Sequence, residues 1–328
     1  MITSDPSVVS KAVDLGINYF DTARVYQGGN NERMVGATLK SVRNKLYISS
    51  KSVASTKEAA LKDLDTSLAE IGTDHLDIWY LHNKSKPEQI TDGLIEAQAI
   101  AKKQGKIRFA GVSVHMNQAA IIDAAVKKRA FDVVLTSYNF AMDEGLNASI
   151  EAAAKAGVGI VAMKVMAGGT RFAAFYPTPD GLRQRMGKDG ATLAALKWVL
   201  KNKNVHTTIP GIVDQDQLDE NIRAMAEPFR DADAQVLQAR LEHMRPLYCR
   251  MCGSCEGQCA KGLPVADVLR FLMYAEGYGQ FGLGRENFLA LPEEARAVRC
   301  PGCDTCTVTC PNGVKVARRL TRAQEWFA

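Results

Sequence analysis

Eight cysteines form two runs of identical spacing near the end of the 328-residue chain, and no other cysteine is present. Both runs read C-x₂-C-x₂-C-x₃-C: Cys249, Cys252, Cys255 and Cys259, then Cys300, Cys303, Cys306 and Cys310. Three thiolates so spaced wrap one face of an iron–sulfur cube, and in two-cluster proteins the fourth ligates the other cube. The spacing therefore predicts one [4Fe–4S] cluster on Cys249, Cys252, Cys255 and Cys310, and a second on Cys300, Cys303, Cys306 and Cys259.

Two other interpretations of the cysteines stay open. Zinc usually needs only two C-x₂-C pairs, which would leave the third and fourth cysteine of each run surplus. Disulfides need an oxidising compartment, and their spacings seldom repeat. Pro311 follows the second run, as the iron–sulfur pattern prefers, whereas Ala260 follows the first run and departs from it.

Four polar side chains at the ends of three successive predicted strands could carry acid–base chemistry: Asp21, Tyr26, Lys51 and His82. A nearby ammonium favours the phenolate of a tyrosine and lowers its pKa. A carboxylate keeps that lysine charged and fixed, and a histidine can orient or polarise a carbonyl. The quartet predicts a donor that protonates an oxygen while hydride reaches the carbon. Taken singly, each residue also has an ordinary structural explanation as a strand end, a core histidine, a cap or loop packing.

Strand and helix patterns alternate over residues 5–226. We predict seven strands, each followed by a helix, at 18–23, 46–51, 75–83, 107–114, 132–138, 159–165 and 205–210. Such alternation implies a parallel sheet with crossover helices. With a helix ahead of the first strand, it predicts an α/β fold: a (β/α)₈ TIM barrel whose first strand is missing from this chain. A doubly wound sheet is the rival, but no G-x-G-x-x-G follows any strand.

The chain is predicted to divide into a barrel at 1–244 and a ferredoxin-type helical domain for the two clusters at 245–328. The segment between the cysteine runs is mostly helical in pattern, and the last fifteen residues, VKVARRLTRAQEWFA, predict an amphipathic helix.

The composition of the chain limits the classes of partner that we expect. Hydrophobic residues make up 46% and charged residues 23% of the chain, which is typical of a globular protein, and the net charge is only +5. The basic residues are spread along helical stretches, so we expect no nucleic-acid partner. No apolar run is long enough to span a bilayer, so we expect no membrane partner. No signal peptide is visible, so the expected location is cytoplasmic, with export left open because the N-terminus looks truncated.

Several segments together resemble the aldo-keto reductase family: GINYFDTARVYQGGNNERMVGATLK, YISSK, YLHN and IPGIVDQDQLDENIRA. The resemblance covers about residues 5–226. It implies a (β/α)₈ barrel, a nicotinamide cofactor bound without a Rossmann fold, and interconversion of a carbonyl and an alcohol. By matching position it gives Asp21, Tyr26, Lys51 and His82 the family's catalytic roles, with Tyr26 as the acid/base. A subgroup that resembles this chain carries the C-terminal cysteine module.

The resemblance also implies cofactor contacts. Ser137, Tyr138 and Asn139 match the segment that holds the nicotinamide carboxamide, and Lys164 to Gly169 match a loop over the cofactor. Gly211, Gln217, Glu220 and Asn221 match the adenosine side. The family often places Lys or Arg after the last strand, but here the segment is GIVDQDQ. Acidic residues at this position favour the free ribose hydroxyl of NAD over the 2′-phosphate of NADP, whereas NADP is the usual cofactor of the family. NAD and NADP therefore both stay open.

Two hypotheses on function follow. The first is an enzyme that interconverts a small-molecule carbonyl and alcohol with NADP or NAD, and whose clusters exchange electrons with a redox partner protein. The second is a non-catalytic electron-transfer or redox-sensing protein on a retained barrel. Since hydride carries two electrons and a cluster one, direct coupling normally needs a converter such as flavin, for which the sequence shows no clear motif.

Overall fold

The computed structural model describes residues 3–142, 145–168, 190–212, 214–303 and 305–328. Strands and helices alternate through the first two thirds of these residues, as predicted. The strands are β1 Tyr19–Asp21, β2 Tyr47–Ser52, β3 Leu76–Lys84, β4 Ile107–Val114, β5 Val133–Ser137, β6 Gly159–Met163 and β7 Thr207–Thr208. Each lies within a few residues of the corresponding predicted strand, and the last two are shorter than predicted.

The helices lie between and after the strands. Those of the first part are α1 Pro6–Asp14, α2 Asn30–Leu39, α3 Lys57–Ile71, α4 Asp92–Lys103, α5 Gln118–Lys128, α6 Gly145–Lys155, α7 Ala191–Leu200 and α8 Gln215–Ala226. Those that follow are α9 Asp231–Met244, α10 Val265–Glu276, α11 Phe281–Leu289, α12 Glu293–Ala297 and α13 Val316–Phe327. No helix within the described ranges is both long and apolar enough to cross a membrane.

All seven strands form one parallel sheet in the order β1-β2-β3-β4-β5-β6-β7. Sequential order with helical crossovers is the arrangement of a (β/α) barrel and not of a doubly wound sheet. The sheet is also curled. Tyr19 of β1 and Ile209, just after β7, both pack against one buried cluster that includes Tyr80 and Leu135, so the two ends of the sheet approach each other. The predicted α/β fold with a barrel-like sheet is therefore confirmed.

Local sequence explains where the helices begin. The Asp5 carboxylate accepts a hydrogen bond from the Ser7 backbone N–H ahead of α1, and the Thr56 hydroxyl accepts one from Ala59 ahead of α3. Asp214 does the same for Gln217 at the start of α8. These side chains satisfy backbone donors that the first helical turn leaves without partners.

Two consecutive large side chains of β3 are buried, one on each face of the sheet. Trp79 and Tyr80 are both fully buried. Gly111 on β4 makes room for Tyr80, because a Cβ atom at this glycine would lie 2.4 Å from Tyr80 Cδ1. The β3–β4 pair therefore fixes the position of a phenol that contributes to the site described below.

The described residues form two compact units. The first includes the described residues within 1–138, 144–165 and 199–228, and the second includes those within 139–143 and 166–198 together with those from 229 onward. The helix α9 belongs to this second unit, which is called the C-terminal unit below. The predicted domain boundary between residues 244 and 245 stays a prediction. Within that second unit α13 packs on α10 and α11, and Phe327 contacts Phe281 and Phe288.

Candidate active site

A buried ion pair joins the ends of the first two strands. Lys51 on β2 is 1% exposed and pairs with Asp21, whose side chain is 8% exposed. The Lys51 ammonium also donates a hydrogen bond to the Thr22 carbonyl at 2.6 Å. Burial lowers the pKa of Lys51 from its ordinary value, and the charge and hydrogen bond of Asp21 oppose that shift. The carboxylate thus keeps a cation in a place where desolvation would otherwise remove it.

Tyr26 lies beside this cation and also packs against His82. Lys51 Nζ lies 5.0 Å from the centre of the Tyr26 ring. The rings of Tyr26 and His82 meet edge to face, with centroids 5.9 Å apart and planes at 82°. The structure therefore brings together all four side chains that the sequence singled out, with the phenol in contact with both the ammonium and the imidazole. A phenol so placed can give a proton and leave a stabilised phenolate.

The turn that carries Tyr26 is held by its own polar contacts. It runs over Tyr26–Gly29, and Gly29 has φ +89°, a conformation that favours glycine. A Cβ atom there would lie 1.7 Å from the Arg24 guanidinium. Arg24 pairs with the fully buried Glu32, which accepts a hydrogen bond from Ser50 at 2.5 Å. The turn is thereby fastened to β2, the strand that carries Lys51.

A chain of hydroxyl groups connects β3 with the ion pair. It was not predicted from the sequence. The hydroxyls of Tyr80 and Tyr19 lie 3.0 Å apart, and Tyr19 lies 2.9 Å from the Ser49 hydroxyl. Ser49 donates to Asp21 at 2.6 Å. The alternation of Tyr19 with Asp21, and of Ser49 with Lys51, was the available signal, because residues i and i+2 share one face of a strand. Burial, above all, raises the pKa of Tyr80 well above its ordinary value.

A second histidine extends the site on the other side, and it too was missed. His115 follows β4, and its Nε2 lies 3.5 Å from His82 Nε2. Lys164 follows β6, and its Nζ lies 3.3 Å from His115 Nδ1. The signal was positional, since both residues stand one place beyond a strand end, where catalytic groups of barrels collect. Lys164 was predicted only as part of a cofactor loop.

Two predicted cofactor residues present buried polar groups with no protein partner. The Ser137 hydroxyl, at the end of β5, makes no hydrogen bond within the described residues. Both polar atoms of the Asn221 side-chain amide on α8 are also buried and make no hydrogen bond within the described residues. Buried polar groups are normally satisfied, so these two fit contact with a ligand. Gly211 lies in the loop after β7 and Glu220 on α8, both half-buried.

Other predicted cofactor residues are already engaged. Gln217 donates from its side chain to Asp214 at 3.0 Å. The Asn139 amide donates to the Tyr248 hydroxyl at 3.0 Å and accepts from the Ala141 backbone N–H at 3.0 Å. Its contact with a nicotinamide stays a prediction. Gly169 and the segment 170–189 lie outside the described residues.

The cysteines of the first predicted cluster act on one another electrostatically. Burial raises the pKa of Cys249 to about 12, and repulsion from Cys255, Cys252 and Cys310 adds to the shift. The Met251 backbone N–H points at Cys249 Sγ over 3.4 Å. Cys310 thus groups with the first run and not only with its own.

The second set behaves in the same way. Burial raises the pKa of Cys300 to about 11, with added repulsion from Cys259, Cys303 and Cys306. Cys310 therefore lies near the first run and Cys259 near the second, while the ligand pairing itself stays a prediction. Among the described residues, however, no three or more His, Cys, Asp or Glu side chains are placed to hold a metal ion. The clusters stay a prediction.

Comparisons with known proteins agree with this geometry. The sequence profile described as "Aldo/keto reductase family" matches residues 5–242. L-galactose dehydrogenase of Arabidopsis thaliana is 26% identical over 248 residues, covering 67% of this chain and 77% of that protein. Uncharacterized oxidoreductase YqkF of Bacillus subtilis (strain 168) is 34% identical over 123 residues, covering 33% and 39%.

A solved structure extends the likeness to the fold. Aldo-keto reductase AKR11C1 from Bacillus halodurans (holo form) superposes with a TM-score of 0.62 at 25% identity, covering 73% of this chain and 89% of that one. Strand order, site geometry and the family profile point the same way. The chain therefore belongs to the aldo/keto reductase family, and the membership identifies it as an NAD(P)-dependent oxidoreductase.

Proposed function

We propose that the protein interconverts a carbonyl and an alcohol with NADP(H), with Tyr26 as the proton donor and acceptor. The observation that carries the proposal is the convergence of Lys51 and His82 on the Tyr26 ring. Bound NADPH would supply the hydride. Tyr26 gives its hydroxyl proton to the carbonyl oxygen, Lys51 stabilises the phenolate that results, and Asp21 keeps Lys51 charged and in place.

His115 and Lys164 act as positioning residues for His82. A lysine ammonium only donates hydrogen bonds, so His115 Nδ1 accepts from Lys164 and its proton lies on Nε2. That proton is shared with His82 Nε2, which places the His82 proton on Nδ1. The result is one neutral tautomer and one ring orientation for His82 beside the reacting oxygen.

Replacing Tyr26 by Phe tests the catalytic proposal. We expect kcat for NADPH-dependent reduction of a panel of aldehydes and ketones to fall about 10²–10⁴-fold, because the proton donor is removed. Binding of NADPH, followed by its fluorescence, is expected to persist. Tyr47→Phe, on an exposed ring, is the matched control. An unchanged kcat in Tyr26→Phe rules out this role, and parallel assays with NADH determine the cofactor preference.

We further propose that the cysteines hold two [4Fe–4S] clusters that exchange electrons with a redox partner protein. Thiolate donors in two groups of four suit such clusters. The Asn312 amide, 3.4 Å from Cys252 Sγ, supplies a donor of the kind that tunes them. Tyr248, which immediately precedes Cys249, accepts the hydrogen bond of Asn139, a predicted nicotinamide contact. A cytoplasmic location accords with this proposal, since thiols stay reduced there.

Paired cysteine replacements test the exchange of ligands between the runs. Cys249→Ala with Cys310→Ala strikes one proposed cluster, so anaerobically purified protein is expected to keep about four of about eight iron atoms. Cys249→Ala with Cys259→Ala strikes both clusters and is expected to lose nearly all iron. The reverse outcome would show that each run holds its own cluster, and iron-free wild-type protein would refute the clusters altogether. Iron and sulfide assays with absorbance spectra provide the measurement.

A further inference from the structure

The C-terminal unit contains a groove of about 650 Å³ that neither the reductase site nor the cysteines use. One wall is the face of α13 with the residue before it, and the other is the end of α9 with the turn that follows. The lining cations are Lys315, Arg318, Arg319 and Arg322, and the opposite wall includes Pro246 and Leu247. Glu325 is the single carboxylate among the lining residues.

The sequence spacing explains why the cations face one groove. Positions 315, 318, 319 and 322 are three, four and seven residues apart, so their side chains share one face of a helix. Like charges at this spacing repel one another and destabilise the helix slightly. An anion bound between these cations would offset their mutual repulsion, because it attracts each of them.

Two of the cations are exposed and have no counter-ion. Lys315 Nζ and the Arg318 guanidinium make no hydrogen bond or ion pair with any residue in the described part of the chain. Several lysines elsewhere on the surface do pair with an acidic side chain, as Lys102 does with Asp132. The groove therefore carries positive charge that the protein does not neutralise.

The other two cations are held in fixed positions. Arg319 and Arg322 both pair with Glu276 of α10, which is fully buried. Arg322 also stacks on Trp326, with its guanidinium carbon 4.4 Å from the ring centre. These contacts fix the positions of both guanidiniums at the inner end of the groove. Such preorganisation is what a specific anion site needs.

We propose that this groove binds a small molecule that carries a phosphate or diphosphate. Arginine and lysine together supply the charge-assisted donors that phosphate oxygens accept. The volume lies within the range of small-molecule sites, and Pro246 and Leu247 offer apolar contact to an organic part. The proposal goes beyond the proposed reductase function and does not depend on it.

Titration of the full-length protein with inorganic pyrophosphate, followed by calorimetry, tests the site. Saturating NADP⁺ is present, so that a diphosphate site for the cofactor is already filled. One pyrophosphate is expected to bind per chain. The double variant Lys315→Gln with Arg318→Gln is expected to weaken binding about tenfold or more, because two charge-assisted contacts are lost.

The matched control is Lys103→Gln with Arg285→Gln, which removes the same two charges at exposed positions outside the groove. Unchanged affinity in the control, with weakened binding in the groove variant, supports the site. Equal weakening in both shows only non-specific attraction and overturns the proposal. Absence of binding to the wild-type protein, or full affinity in the groove variant, overturns it as well. Thermal unfolding of each variant verifies that it is folded.

Discussion

Lys51 contacts several residues of the site. It pairs with Asp21, donates to Thr22 and lies over the rings of Tyr26 and Tyr80. Removing one partner of a buried ion pair usually destabilises a protein strongly, because the other charge is left uncompensated. The same pair that lies beside the Tyr26 phenol therefore also contributes to holding β1 on β2.

His115 is expected to affect catalysis through His82. We expect His115→Phe to lower kcat about tenfold and to change the pH profile of kcat/KM, while KM for the carbonyl stays close to wild type. The direct readout is the ¹⁵N NMR spectrum, in which the His82 proton should no longer lie on Nδ1 alone. His75→Phe, at a partly exposed position away from the site, is the control. An unchanged His82 tautomer in His115→Phe would contradict the positioning role.

At the scale of elements, alternation of apolar strands with capped helices was enough to place β1 to β7 and the helices between them. Asp5 and Thr56 accept the capping hydrogen bonds at the starts of α1 and α3. The quartet could be predicted because its members end successive strands. His115 and the Tyr19–Ser49–Tyr80 chain could not, because their contacts depend on the register and curl of the sheet, which no single strand encodes.

Gly111 tests how closely β3 and β4 must approach. We expect Gly111→Ala to lower the free energy of unfolding by about 1–3 kcal/mol, since the added Cβ meets the Tyr80 ring at 2.4 Å. Gly93→Ala in α4 is the matched control, because its nearest neighbour is Lys57 Cβ at 3.9 Å. Since Gly93 is the second residue of α4, the control is expected to change the free energy of unfolding by less than about 0.5 kcal/mol. Urea unfolding measures both, and equal effects would refute the close-contact explanation.

At the scale of the whole molecule, buried tyrosine side chains make the free energy of unfolding vary with pH in the alkaline range. The pKa of Tyr80 in the folded protein is raised, first by burial and then by Tyr19, so the folded state keeps a proton that the unfolded chain loses above about pH 10. The stabilisation is complete below that pH and is lost as the pH rises towards the folded pKa. The pKa of Tyr248 is likewise raised by burial, to about 12.

The corresponding experiment compares wild type with Tyr80→Phe between about pH 9 and about pH 11. Above about pH 10 the free energy of unfolding of the wild type should fall more steeply, by about 1.4 kcal/mol per pH unit for this one group. The slopes decide the question, because the variant also loses a hydrogen bond at every pH. Identical slopes would contradict the assigned shift.

The grouping of the cysteines has a consequence for the order in which the protein is made. The barrel strands are neighbours in sequential order, so each can join the sheet as soon as it leaves the ribosome. The set around Cys249 includes Cys310, and the set around Cys300 reaches back to Cys259. The first set is therefore complete only after Cys310 has been synthesised, well after the last barrel strand. Metal loading, as proposed here, is a maturation step that follows translation of the barrel.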